Sequence, residues 1–117
     1  MPLFDNTQLA LSRAISGAAM RQEVLANNLA NAETPGFRRS DVDFQSQLSQ
    51  AMKAGDPRAI ESTTFSAQTD QTVMRADGNG VDVDVESANM AKNGLTYEAL
   101  VNVTKARIQI LESAMGR

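Results

Sequence analysis

The sequence predicts a mainly α-helical protein whose long N- and C-terminal helices pair as an antiparallel, coiled-coil-like hairpin. Near both ends of the 117-residue chain, apolar residues recur at alternating intervals of four and three, as they do in coiled coils. The chain has four Phe, one Tyr and no Trp, so much of its 42% apolar content is Ala. Small apolar residues favour helix–helix contacts over a thick globular core. We therefore expect a long, thin molecule with a short helix and a small irregular or β-hairpin segment between the two long helices.

The first element is predicted to be a coiled-coil helix within residues 1–34. Asp5 is a suitable N-cap and Gln8 follows three residues later, which is the capping-box pattern. The apolar repeat then continues until Pro35 ends it. A helix from about Asn6 to Ala32 follows, roughly 40 Å long at about 1.5 Å per residue. Its half of the predicted coiled-coil seam consists of Leu11, Ile15, Leu25 and Leu29.

The C-terminal element, residues 86–117, repeats the same rhythm, and Asp84 or Ser87 is suited to cap it. Its half of the seam consists of Tyr97, Val101, Ile108 and Leu111. A second stripe makes the apolar face wider than a two-helix contact needs, and its members are Leu100, Val103 and Ile110. Both seams also contain small or polar residues. We therefore expect the isolated monomer to be substantially unfolded until neighbouring subunits cover the remaining apolar surface.

The middle of the chain begins with a turn and a short helix, predicted within residues 35–55. Residues 40–43 resemble a second capping box, and an apolar stripe follows from Phe44 to Met52. The Gly-Asp-Pro run at 55–57 then ends the helical pattern.

Residues 56–85 are predicted to form a polar loop with a possible small β-hairpin. Ser, Thr, Gln and Ala dominate residues 58–70, which indicates a loop or a poorly ordered segment. Residues 72–75 and 81–85 alternate in polarity and flank a Gly-rich turn at 77–80. This arrangement is typical of a two-stranded hairpin.

The residues for catalysis and metal binding are largely missing. The chain has no His and no Cys, so it lacks the usual general base and the thiolate ligands of metal sites. Asp77 and Asn79 match the first two ligand positions of an EF-hand loop, but Asp82 stands where the loop needs Gly and Ala88 replaces the bidentate Glu. We expect no metal, no cofactor and no enzymatic activity.

Charge and hydropathy also exclude two classes of partner. The net charge is −3 and Lys and Arg form no run, so the chain offers no basic patch to nucleic acid. No apolar run approaches the roughly 20 residues that span a bilayer, so direct membrane insertion is not expected. The N-terminal residues lack the pattern of a signal peptide. If the protein leaves the cytoplasm, we expect another export route.

An Asn-rich helix end followed by a Thr-Pro-Gly stop is the candidate functional motif. Asn is a middling to poor helix former because its side chain competes for backbone hydrogen bonds, so Asn27, Asn28 and Asn31 need another role. We predict hydrogen bonds to adjacent subunits, with a capped and solvated helix end as the alternative. The predicted interface motif comprises Leu25, Asn27, Asn28, Leu29, Asn31, Thr34, Pro35, Gly36 and Phe37.

The runs at 26–31 and 34–38, with the later Phe44, resemble the N-terminal signature of bacterial flagellar axial proteins, the rod and hook family. Residues 80–100 are similar to the proximal-rod, B-type members of that family. The resemblance implies a structural subunit of the basal-body rod, the drive shaft that transmits motor torque, which self-assembles through its terminal helices.

The resemblance also implies partners and a location. The partners would be copies of the chain, other rod subunits, the rod-to-ring adaptor protein at the rod base, and the flagellar type III export gate. The location would be the rod in the periplasmic space, reached without a cleavable signal peptide. Phe44 and Leu48 resemble the Phe-x-x-x-apolar element thought to engage the export gate. The same two residues are also suited simply to anchor the short helix.

A function of another class remains compatible with the residues. A soluble helical adaptor or export chaperone would bind partner helices through the same wide apolar stripe. Recovery in basal bodies distinguishes a rod subunit from a protein confined to the cytoplasm.

Overall fold

The computed structural model describes residues 5–69 and 80–116 and confirms the mainly helical fold. Two long helices account for most of the described chain, and a small middle region packs on the first of them. In chain order the elements are α1 (Asn6–Ala30), β1 (Ser40–Asp41), α2 (Phe44–Lys53), α3 (Pro57–Glu61), β2 (Gln68–Thr69) and α4 (Val83–Ala114).

Helix α1 begins at the predicted cap and ends two residues before the predicted end. The Asp5 carboxylate accepts a hydrogen bond from the Gln8 backbone N–H at 2.8 Å, which satisfies one of the free donors of the first turn. At the other end Asn31 is the C-cap, because its backbone N–H still bonds to the carbonyl of Asn27 while its φ and ψ leave the helical region. The chain then turns, and Gly36 takes a positive φ of 77°.

Helices α1 and α4 run antiparallel, as predicted. Near one end Arg107 of α4 bonds to Asp5 and Gln8 at the start of α1. Midway along the pair, Asn93 donates to the Ala18 carbonyl at 2.8 Å. Helix α4 begins earlier than predicted because the Asp82 side chain, not Asp84 or Ser87, accepts from the first backbone N–H groups of the helix.

The hydrophobic core lies between α1 and the middle region. Its buried members are Ala10, Ala14, Ala18, Val42, Phe44, Leu48 and Ile60. Phe44 reaches the α1 backbone because Gly17 has no side chain: a Cβ at Gly17 would lie 2.5 Å from the Phe44 Cβ. Phe65 packs edge-to-face on Phe44, with ring centroids 6.2 Å apart. Small residues on α1 thus let α2 approach closely.

Two predictions for the middle of the chain are wrong. Residues 58–69 are not merely a loop, because they contribute to α3 and β2, and Ile60 is buried. The alternation at 81–85 does not form a strand, since α4 begins at Val83; residues 72–75 lie outside the described chain. The small antiparallel sheet instead pairs β1 with β2, placing Ser40 opposite Thr69 and Asp41 opposite Gln68.

The described chain is elongated, with principal extents of 61 × 27 × 14 Å. Several large apolar side chains of α4 are exposed, including Leu95 at 68% and Ile110 at 67%. Within residues 5–69 and 80–116, no helix combines the length and the apolar character needed to cross a bilayer.

Candidate assembly interface

Asn28 is at the centre of a hydrogen-bonded cluster inside the chain. It is 1% exposed, and its Nδ2 donates to the Ser40 carbonyl at 2.6 Å and to Glu86 Oε2 at 3.2 Å. Its Oδ1 accepts from the Ser40 backbone N–H at 3.0 Å. The prediction that Asn28 bonds to an adjacent subunit is therefore wrong. Its amide joins α1, β1 and α4 within one chain.

The other Asn residues of the motif form a local cap in the single chain. Asn31 Nδ2 donates to the Asn27 carbonyl at 2.9 Å, and the Thr34 hydroxyl donates to Asn31 Oδ1 at 3.2 Å. Asn27 itself is exposed. These contacts fit the alternative of a capped, solvated helix end, and a contact of Asn27 or Asn31 with a neighbour stays a prediction.

The Thr-Pro-Gly-Phe turn is exposed up to Phe37, which is half-buried. The Phe37 carbonyl accepts a hydrogen bond from the Gly80 N–H at 3.1 Å. A Cβ at Gly80 would lie 2.6 Å from that carbonyl oxygen, so only Gly allows this approach. Gly36 has open space around it but needs its positive φ. The turn is therefore fixed against the residues that precede α4.

Arginine–carboxylate pairs surround the Asn28 cluster. Arg21 of α1 binds Asp41 of β1 through two hydrogen bonds, of 2.8 and 3.2 Å. Arg39 bonds to Asp41 at 3.1 Å and also to Glu86 of α4, which is 1% exposed. Bidentate and charge-assisted bonds of this kind are directional as well as strong. We refer to Arg21, Asn28, Arg39, Asp41 and Glu86 as the polar network.

The pKa values of three members of the polar network, Asp41, Arg21 and Arg39, are shifted. Burial raises the pKa of Asp41, but hydrogen bonds from Arg21 and Arg39 outweigh it and hold the pKa below its ordinary value. The hydrogen bond with Asp41 raises the pKa of Arg21. Burial lowers the pKa of Arg39, yet its bonds to Glu86 and Asp41 raise it overall. The ionised forms are therefore favoured in the fold.

Sequence reasoning missed the polar network. It interpreted the carboxylates at 40–43 as helix caps, which is correct only for Asp43, whose side chain accepts from the Ser46 N–H. The missed signal is charge pairing between distant segments: Arg21 of α1 with Asp41 of β1, and Arg39 with Glu86 of α4. Spacing along the chain does not reveal such pairs, because Arg39 and Glu86 are far apart in sequence.

The predicted coiled-coil seam is only partly buried in the single chain. Leu25 is fully buried, whereas Tyr97 and Ile108 are 40% and 42% exposed. The remaining members are half-buried, namely Leu11, Ile15, Leu29, Val101 and Leu111. Asn93, which the sequence did not indicate, is a deeply buried contact of α4 with α1, as is Glu86. The role of the eight predicted residues as a seam in the assembly stays a prediction.

The predicted export element lies in the core of the folded chain. Phe44 and Leu48 are 3% and 8% exposed, and both pack in the cluster that joins α1 to α2. In the fold they anchor α2, as the alternative interpretation holds. They are accessible to a partner only when the chain is unfolded.

Comparisons with known proteins agree with the architecture. Residues 9–38 match the family model described as flagella basal body rod protein. The flagellar basal body rod protein FlgB of Bacillus subtilis (strain 168) is 33% identical over 98% of this chain and 97% of the relative. FlgB of Escherichia coli (strain K12) is 35% identical, and the alignment covers 95% of this chain and 99% of the relative. FlgB of Borrelia hermsii is 26% identical, and the alignment covers 88% of this chain and 90% of the relative. The chain therefore belongs to the flagellar basal-body rod protein family, whose members are structural proteins and not enzymes.

Proposed function

We propose that this chain is a structural subunit of the proximal rod, the part of the drive shaft nearest the motor. The observation that carries the proposal is the exposed apolar surface of α4, which persists after α1 and α4 have paired. Large exposed apolar patches mark interaction surfaces, and a rod subunit would cover them with its neighbours. The similarity to FlgB proteins over nearly the whole chain supports the same assignment.

The fold also suits transmission of torque. The polar network fixes the position of β1 and the start of α4 relative to α1 through directional bonds. A subunit that bears load needs such fixed relative positions, because a loose hinge would absorb the twist. Its partners would be copies of itself, other rod subunits and the rod-to-ring adaptor at the rod base. Its location would be the rod in the periplasmic space.

Fractionation separates a rod subunit from an adaptor or export chaperone. Cells producing the chain at its natural level would be lysed, and basal bodies would be purified in detergent and dissociated with acid. A rod subunit is recovered with the basal bodies and is released with the other rod proteins. A protein found only in the cytoplasmic fraction would support the adaptor or chaperone and contradict the proposal.

Export through the type III gate belongs to the same proposal, with Phe44 and Leu48 as the recognised pair. The unfolded chain would present both residues before the core forms. Replacing both with Ala should leave the subunit in the cytoplasm. Because the double substitution also damages the core, Ile60→Ala provides the control: Ile60 is 1% exposed in the same cluster but lies outside the pair. Secretion that is equally reduced in both variants, or normal in the double variant, would contradict this role.

A further inference from the structure

Helix α4 carries an apolar stripe on the side away from α1. Its positions follow intervals of three and four, so they lie on one face of the helix. All of these side chains are exposed, and we refer to them as the α4 outer stripe: Val85, Ala88, Lys92, Leu95, Ala99, Val103, Ala106 and Ile110. Together with the face that packs on α1, this stripe makes α4 apolar on two sides. A helix in that position needs a second partner.

Helix α1 carries a complementary stripe of small side chains. Its positions follow the same rhythm, all are exposed, and we refer to them as the α1 outer stripe: Ser12, Ser16, Ala19, Glu23, Ala26 and Ala30. Small residues let another helix approach closely, and the larger Val, Leu and Ile side chains of the α4 outer stripe fit against them. The matching segments, 12–30 and 85–103, are of equal length, about 27 Å at about 1.5 Å per residue.

Each stripe contains one charged residue, and the two charges are opposite. Lys92 interrupts the α4 outer stripe and Glu23 interrupts the α1 outer stripe. Neither side chain forms an ion pair within residues 5–69 and 80–116 of the single chain. A lone charge in an otherwise uncharged face is unfavourable in an interface unless the partner neutralises it.

We propose that the α4 outer stripe of one copy packs antiparallel on the α1 outer stripe of a second copy, with Lys92 opposite Glu23. This inference rests on the proposed function, because it requires copies side by side in the rod. In this register Ala30 faces Val85, Ser16 faces Ala99 and Ser12 faces Val103. The two charges then meet without any adjustment of the apolar pairs.

The register is the one that the two helices already use within a chain. There Asn28 contacts Glu86, and Asn93 contacts Gln22. The proposed pair of Glu23 with Lys92 lies at the same level along the helices, to within about one turn. A lateral neighbour with little axial displacement would therefore bring the stripes together, and α1 would contact a helix of its own chain on one side and a helix of the second copy on another.

A groove already lies where the second helix would pack. It runs between α1 and α4, has a volume of about 500 Å³, and is lined by Ala19, Gln22, Glu23, Ala26, Asn93, Gly94 and Tyr97. Asn93 is 1% exposed, and its Oδ1 has no hydrogen-bond partner in the single chain. A buried acceptor without a donor is unusual. An ammonium group arriving opposite Glu23 would bring donors to this part of the groove.

Disulfide trapping tests the contact directly, because the natural chain has no Cys. Ser16→Cys and Ala99→Cys would be combined in one chain, produced in cells that lack the wild-type copy, and basal bodies would be oxidised and run on non-reducing gels. Ser16 and Ala99 are both exposed, and a disulfide within a single chain would run as a monomer, so only multimeric bands count as a contact between copies. The matched control, Ser12→Cys with Val85→Cys, uses the same stripes about 27 Å out of register.

The expected result is a ladder of cross-linked multimers for the 16/99 pair and none for the 12/85 pair. Suppose that the wild-type chain is recovered in basal bodies, but the 16/99 variant gives no ladder or both variants give equal ladders. That result would overturn the inference and leave the proposed function intact. Wild-type chain absent from basal bodies would contradict the proposed function and the inference together.

Charge reversal supplies a second, independent readout. Lys92→Glu and Glu23→Lys should each lower the recovery of the chain in basal bodies at least several-fold, and the double reversal should restore it. Lys105→Glu changes the net charge by the same amount as Lys92→Glu but lies outside both stripes, so normal recovery is expected. Failure of the double reversal to recover more chain than the single variants would overturn the pairing of these two residues.

Discussion

Asn28 shows how one amide can determine the position of three elements. It is buried, and both polar atoms of its side chain are bonded to groups of its own chain. Leaving buried donors and acceptors unpaired costs about 1–3 kcal/mol. Asn28→Ala should therefore lower the free energy of unfolding by about 2–3 kcal/mol, although Ala is the better helix former.

Urea denaturation followed by circular dichroism measures this change. Because the sequence predicts a marginal monomer, this experiment and the melts and pH series below would use buffer with sucrose, which favours the compact state. Asn102→Ala provides the matched control, because Asn102 is exposed in α4 and Ala should be neutral or slightly stabilising there. Equal stability of the two variants would mean that the hydrogen bonds of Asn28 contribute nothing net.

Two helical glycines should respond in opposite directions to the same substitution. A Cβ at Gly17 would lie 2.5 Å from the Phe44 Cβ, whereas a Cβ at Gly94 would meet nothing within 4 Å. Gly17→Ala should destabilise the chain by about 1–3 kcal/mol, because overpacking displaces Phe44. Gly94→Ala should stabilise it by up to about 1 kcal/mol, through helix propensity alone. Thermal melts of both variants test the pair, and a stabilising Gly17→Ala would contradict the close contact of α1 with α2.

At the scale of elements, the polar network predicts a dependence of stability on pH. The pKa of Asp41 is lower in the fold than in the unfolded chain. Its contribution is therefore fully present above the unfolded value of about 3.9 and is lost as the pH falls through the lower folded value. The difference in unfolding free energy between the natural chain and Asp41→Asn should stay constant from pH 7 to 5 and shrink below about pH 4. A constant difference down to pH 2 would exclude a role for the Asp41 charge.

The long helices and α2 were predictable because their signals are local. A capping box at Asp5, apolar residues at helical intervals and a Pro-Gly stop need only neighbouring residues to be recognised. Helix α4 was misread at its start for the same reason. Alternation of Val and Asp over 81–85 is typical of a strand, but the Asp82 cap and the helix that follows incorporate Val83 and Val85 into α4.

The contacts between elements were not predictable from local patterns. Asn28, Arg21 and Arg39 bond to residues on other elements. Which residue each one meets depends on the relative positions of α1, β1 and α4. The pairing of β1 with β2 involves polar, partly exposed residues without the apolar alternation that indicates a strand. The role of the Asn-rich motif as a subunit interface stays a prediction, while the hydrogen bonds of its central residue, Asn28, lie within the chain.

In the whole molecule, a helical hairpin held by many hydrogen bonds carries exposed apolar side chains on its outer surface. The polar network and the small core stabilise the contacts of α1 with the middle region and the start of α4. Toward the C-terminal end of α4 and at its C-cap, Val103, Ile110 and Met115 are all at least 49% exposed. Assembly would cover this surface, which explains why a helix apolar on two sides belongs in a subunit of a larger structure.

A reconstruction of the intact basal body at side-chain resolution would show directly whether this chain is a subunit of the proximal rod. We expect density for the chain there, with α1 and α4 paired antiparallel, Asn28 bonded to Ser40 and Glu86, and the α4 outer stripe covered by neighbouring subunits. A rod without this chain, or a rod in which the α4 outer stripe faces solvent, would contradict this expectation.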